Sequence, residues 1–115
     1  MQQFFQEYWP FLLLILWWTY KWFQAKQIKS ELPILRSAGA TLVDVRSIAE
    51  FNNGNAPGTL NIPLSELGKR LNEIPKDKPV VLCCASGSRS GMAKLLLLKN
   101  GYRNVYNIGN WNNIV

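Results

Sequence analysis

Two adjacent cysteines, Cys83 and Cys84, stand immediately before the run Ala85-Ser86-Gly87-Ser88-Arg89-Ser90. Val80-Val81-Leu82 precedes them, an apolar and partly β-branched stretch that reads as a buried strand. A thiol at a strand end, then a loop of tiny residues, then a helix start makes an anion cradle. Small side chains let successive backbone N–H groups point into the loop. The helix start adds positive partial charge, and Arg89 adds a fixed cation. All three favour thiolate over thiol at Cys84. Activation of this kind is required here, because the sequence contains no histidine. That removes Cys–His pairs, Ser–His–Asp triads and most zinc sites. No metal and no cofactor is expected.

The two thiols are not equivalent. Side chains alternate along a strand, so Cys83 and Cys84 face opposite sides and only one can enter the loop. Cys84 is the expected nucleophile. Cys83 belongs to the strand, where a cysteine behaves as a small hydrophobe. A disulfide between neighbours is strained, and two free thiols suit a reducing compartment.

The surrounding elements must hold this loop. Ser30 is positioned to cap a helix through Ala38, with Leu32 and Leu35 inward and Gly39 ending it. Residues 41–45 form a buried strand. Ser47-Ile48-Ala49-Glu50 is a capping box that opens a helix, stopped at Asn52-Asn53-Gly54. Pro57-Gly58 marks a turn and residues 60–62 a brief strand. Ser65 is expected to cap a helix with Leu67, Leu71 and Ile74 on one face. Residues 79–83 form the next strand, 91–100 a helix closed by Gly101, and 105–108 a last strand. Strands alternating with helices predict an α/β fold with a central parallel sheet flanked by helices.

At the loop the sequence resembles a family. Cys84-Ala85-Ser86-Gly87-Ser88-Arg89-Ser90 is similar to the Cys-x-x-Gly-x-Arg-Ser loop of rhodanese-like sulfurtransferases. Val43-Asp44-Val45-Arg46 with Glu50-Phe51 resembles the family's Asp-Val-Arg…Glu-Phe stretch. Residues 54–63 resemble its Gly-His-Ile-Pro-Gly-Ala-x-Asn-Ile-Pro stretch. Gly101-Tyr102 and Val105-Tyr106-Asn107-Ile108-Gly109 resemble its closing segment. The similarity covers about residues 31–111. Asn55 stands where the family usually has histidine, Asn110 replaces a glycine, and little sequence follows where the family has a closing helix.

The resemblance implies a single rhodanese-like domain and a sulfur-transfer reaction. Cys84 would take sulfane sulfur from a small anion such as thiosulfate, or from a protein persulfide. It would pass that sulfur to cyanide or a thiol. Ala85, Ser86, Gly87, Ser88, Arg89 and Ser90 would bind the anion, and Arg89 would hold its oxyanion end or brace the loop. Asp44 and Arg46 would support the loop from the first strand, or be a plain ion pair at a strand end. Ser86, Ser88 and Ser90 could equally be loop residues and caps, Ser88 above all.

Other readings stay open. Cysteine phosphatases use Cys-x5-Arg, a spacing that Cys83 and Arg89 also have, whereas Cys84 and Arg89 are Cys-x4-Arg. A tethered binding or redox module without turnover is a second alternative. A redox pair of Cys83 and Cys84 lacks Cys-x-x-Cys spacing.

Ten of the fourteen aromatic residues lie between Phe4 and Phe23. This step in composition divides residues 1–30 from a domain over residues 31–115. Residues 8–20 (YWPFLLLILWWTY) carry no charge, with tryptophans toward both ends. A short transmembrane helix over residues 4–23, in contact with membrane lipid, is the expectation. An in-plane amphipathic helix would need a polar face, and a signal peptide would need positive charge before the run. Lys21, Lys26 and Lys29 follow it, which places a single-pass chain's domain in the cytoplasm. The net charge of +6 divides as +2 and +4 between the two parts. It has no like-charge block and suits a small anion or an anionic lipid surface rather than nucleic acid.

Overall fold

A computed structural model describes residues 2–114. Helix α1 runs without interruption over Gln2–Ser37 and ends at Gly39, whose φ of +81° is open to glycine without strain. Strand β1 (Thr41–Asp44) follows, then α2 (Ile48–Asn53), β2 (Leu60–Asn61), the single turn α3 (Leu64–Leu67), a 3-10 turn at Leu71–Glu73, β3 (Val80–Cys84), α4 (Ser88–Lys99), β4 (Val105–Asn110) and a 3-10 turn at Trp111–Ile114. The four strands form one parallel sheet in the order β2-β1-β3-β4. This is the expected α/β architecture.

Strand β3 is central and buried along its whole length. Its alternation divides the core into two layers. Val80, Leu82 and Cys84 pack with α3 and α4 through Leu67, Ala93 and Leu97. Val81 and Cys83 pack on the other face with Leu32 and Leu35 of α1, Ile108 and Ile114. Cys83 and Cys84 therefore lie in different layers, as period-two alternation requires.

Three local expectations are corrected. Ser30 caps nothing, because the helix that carries Leu32 and Leu35 is already under way; its hydroxyl donates to Gln27 O instead. The helix expected from Ser65 is one turn with Pro63 before it, and Gly68 ends it. Leu67 and Ile74 still reach the core, but a 3-10 turn rather than continuous helix carries the chain between them. Helix α4 begins at Ser88, not Gly91, and β3 includes Cys84.

The transmembrane expectation for residues 4–23 is also not upheld. Among the described residues no helix is long and apolar enough to cross a membrane. The uncharged run of α1 rises only about 20 Å, against a hydrocarbon core of about 30 Å. Gln6, Glu7 and Lys21 bracket it, and Tyr8, Trp9, Trp17, Trp18 and Tyr20 occupy its ends. The helix instead continues past residue 23, and its last turns pack on the sheet through Ile28, Leu32 and Leu35.

Candidate active site

The loop between β3 and α4 lies at the carboxyl ends of the strands, where ligand crevices of parallel sheets form. It is short because α4 starts four residues after Cys84. Gly87 makes this possible. It takes φ +96° at the helix N-cap, and a Cβ there would meet the Cα of Gly109 at 3.4 Å. The turn points the Gly87 N–H at Cys84 Sγ, 2.8 Å away. The Ser90 hydroxyl lies 3.3 Å from the same sulfur. Burial pushes the Cys84 thiol up. Hydrogen bonds that the Ser90 side chain and the Ser90, Gly87 and Ser86 amides offer to the ionised sulfur outweigh it and hold the thiol below its ordinary value. Cys83, in the other layer, has its thiol pushed up to about 12 by burial first and then by Asp44.

The other predicted residues are placed unevenly. Arg89 is not free toward the loop centre. Its Nη1 and Nη2 donate to the two carboxylate oxygens of Glu50, at 2.6 and 2.9 Å. That fork, with the Ser47 cap, draws the Glu50 carboxyl down to about 2. The pair braces the start of α4 against the start of α2. Ser86 and Ser88 share a hydrogen bond of 3.1 Å and are exposed. Ala85 contributes its carbonyl, which accepts from Asn110 Nδ2 at 2.7 Å.

Asp44 and Arg46 touch each other rather than the loop. The Arg46 guanidinium grips the Asp44 carboxylate at 2.7–3.0 Å, and both side chains are buried. Arg46 also donates to Glu50 O and Gly54 O and stacks on Trp111, 4.8 Å from the ring centre. The pair therefore reaches the site through α2: it fixes the helix whose Glu50 holds Arg89.

Sequence reasoning missed three contributors. Glu50 stood out as a capping-box residue, which it also is, and in the family-like Glu50-Phe51 pair, but with no role at the loop. Asn110 appeared only as a departure from the family pattern. Asn107 carried no signal beyond its place in the closing strand. Its amide accepts from Ser90 Oγ at 2.6 Å and donates to Gly87 O at 3.1 Å. Among the described residues no cluster of His, Cys, Asp and Glu side chains could hold a metal ion.

A family model described as the rhodanese-like domain matches residues 21–113. The chain belongs to the rhodanese-like domain family. The match starts inside α1, ten residues ahead of the boundary that composition suggests. This rhodanese-like chain is 51% identical over 69 residues to the uncharacterized protein YqhL of Bacillus subtilis, covering 60% of this chain and 55% of that one. It is 32% identical over 74 residues to the thiosulfate sulfurtransferase GlpE of Pseudomonas syringae pv. syringae, covering 64% and 70%. The human single-domain sulfurtransferase TSTD1 superposes with a TM-score of 0.61 at 34% identity, over 73% of this chain and 88% of that one. The chain spans about half the length of several curated relatives it matches.

Proposed function

We propose that this rhodanese-like chain is a sulfurtransferase that carries sulfane sulfur on Cys84. The observation that carries the reading is the Gly87 N–H aimed at Cys84 Sγ from 2.8 Å at the end of β3, a donor placed to favour thiolate. The Cys84 thiolate attacks the outer sulfur of a donor such as thiosulfate. A new S–S bond forms, the donor's S–S bond breaks, and sulfite leaves with the bonding pair. The resulting persulfide anion sits where loop amides stabilise negative charge. A cyanide or thiolate acceptor then attacks the outer sulfur, and Cys84 leaves as thiolate. The likeness to a thiosulfate sulfurtransferase supports a thiosulfate-type donor; a protein persulfide fits the same chemistry. The phosphatase alternative needs Cys83 in the loop, and Cys83 is buried in the opposite layer.

Intact mass after incubation with thiosulfate tests this. A gain of one sulfur, about 32 Da and reversed by cyanide, is expected in wild type and Cys83→Ser but not in Cys84→Ser, because only the activated thiol reacts. The adduct in Cys84→Ser, or its absence from wild type with both thiosulfate and a protein persulfide, would overturn the reading.

We also infer that residues 4–23 rest against a lipid surface, with the domain on the cytoplasmic side. Fourteen large apolar or aromatic side chains there are 46–68% exposed. So large an apolar surface calls for cover, and Lys21, Lys26 and Lys29 beside it suit anionic headgroups. The full chain is expected to float with vesicles containing anionic lipid, and less with neutral ones. Recovery in the soluble fraction with both would refute lipid contact.

A further inference from the structure

The amide of Asn107 has only one possible orientation. Gly109 N–H, which can only donate, faces one amide atom at 3.0 Å, so that atom is Oδ1. Gly87 O, which can only accept, faces the other at 3.1 Å, so that atom is Nδ2. A break in the β3–β4 register creates this arrangement: Leu82 pairs with Asn107 and Cys83 with Gly109, leaving Ile108 unpaired. Gly109, at φ +83°, turns its own N–H back onto the Asn107 side chain.

This orientation fixes the Ser90 hydroxyl in turn. Ser90 Oγ lies 2.6 Å from Asn107 Oδ1, an acceptor, so its single hydrogen points there. Its lone pairs then face Cys84 Sγ at 3.3 Å. When Cys84 is protonated, its S–H donates to Ser90, and Ser90 donates to Asn107. Once Cys84 loses its proton to solvent, the sulfur becomes an acceptor and those lone pairs oppose it. The Ser90 hydrogen must leave Asn107 and turn to the sulfur.

We propose that Asn107 is a positioning residue that holds the Ser90 hydroxyl as an acceptor for the protonated Cys84 thiol, so that ionisation of Cys84 requires the hydroxyl to swing from Asn107 to the sulfur. Asn107 thereby works against the amides that favour thiolate. It keeps the nucleophile masked until a hydroxyl rotates. The charged and titratable groups around Cys84 are Cys83 on β3, Arg89 on α4 with its partner Glu50 on α2, and Asp44 with Arg46 beside β1. The one titratable side chain of β4, Tyr106, packs in the opposite layer. None of these changes in the variants below. The inference rests on the preceding reading only in taking Cys84 as the nucleophile. Its readout is alkylation, so it stands or falls separately from persulfide formation.

The test is the pH dependence of iodoacetamide alkylation at Cys84 in the full chain, read by peptide mass. Asn107→Ala removes the acceptor that holds the Ser90 hydrogen away from the sulfur. Its inflection is expected about one pH unit below wild type, a tenfold gain in reactive thiolate on the acid side. Ser90→Ala is expected to move the inflection up. Asn107→Ala in the Ser90→Ala background is expected to shift it no further. No shift or an upward shift in Asn107→Ala would overturn the proposal. So would an equal downward shift without Ser90, since Asn107 would then act by some route other than the hydroxyl. A measurement on the wild-type chain keeps the test independent of how well Asn107→Ala folds. At low pH the infrared S–H stretch of Cys84, assigned by its loss in Cys84→Ser, is expected at the low frequency of a donating thiol and should return upward in Ser90→Ala. A free-thiol frequency in wild type would sink the proposal.

Discussion

Cys83 and Cys84 are neighbours in sequence and opposites in chemistry. One ends in a layer of apolar side chains with its thiol pushed up to about 12, the other at a ring of donors that holds its thiol down. The sign of the pH effect follows. A thiol whose folded pKa lies below its unfolded value adds stability that is present above the unfolded value and lost as pH falls through the folded one. Wild type is therefore expected to gain stability relative to Cys84→Ala as pH rises through the ordinary thiol range, measured by urea unfolding at a series of pH values. The Cys83 contribution is common to both proteins and drops out of the difference. Glu50 behaves as an acid-side counterpart. Its carboxyl is drawn down to about 2, first by the Arg89 side chain. In Arg89→Met it should titrate near the ordinary carboxylate value, which carboxyl NMR chemical shifts would read directly.

At the scale of elements, α2 links β1 to the loop. Asp44 and Arg46 are buried against each other, Arg46 donates to the Glu50 carbonyl inside α2 and to the Gly54 carbonyl at its C-cap, and Glu50 of α2 holds Arg89. Asp44→Ala leaves a buried guanidinium unpaired and is expected to cost about 3–5 kcal/mol in chemical denaturation. Gly87→Ala puts a side chain into left-handed backbone at the N-cap of α4, at about 1–2 kcal/mol. It should also slow Cys84 alkylation, because the N–H that faces the sulfur moves with the turn. Much of this level was legible in the sequence. The Ser47–Glu50 capping box, the Pro57-Gly58 turn and the buried strand before Cys84 rest on local chemistry, and the structure contains all three. The misreadings arose where non-local packing decides. Ser65 has good capping chemistry, but Gly68 and the need to bring both Leu67 and Ile74 to the core limit that helix to one turn. Asn107 and Asn110 could not be read from sequence, since the loop they hold lies some twenty residues earlier in the chain and meets them only when β4 pairs with β3.

Over the whole molecule, α1 belongs to two environments. Its C-terminal turns complete the second core layer, and the rest projects from the sheet with its aromatic side chains exposed. Composition divides the chain near residue 30, whereas packing begins at about Ile28 and the family match at residue 21. Leu35→Ala is expected to destabilise the domain by about 2–5 kcal/mol, as for other buried leucines. Removal of residues 1–24 is expected to leave its unfolding midpoint in urea nearly unchanged, since the exposed part of α1 shields no part of either core.

The distribution of indoles along this helix has an optical consequence. Trp9, Trp17, Trp18 and Trp22 all lie on the projecting part of α1, and Trp111 is the fifth and last tryptophan in the sequence. Intrinsic fluorescence of the full chain is thus dominated by the projecting tip and is nearly blind to the sheet. Once the tip is removed, indole emission comes from Trp111 alone, stacked on the Arg46 guanidinium beside Gly54. The shortened chain then carries a single indole, excited apart from the tyrosines at the red edge, that reports the Asp44–Arg46–α2 junction with no label needed.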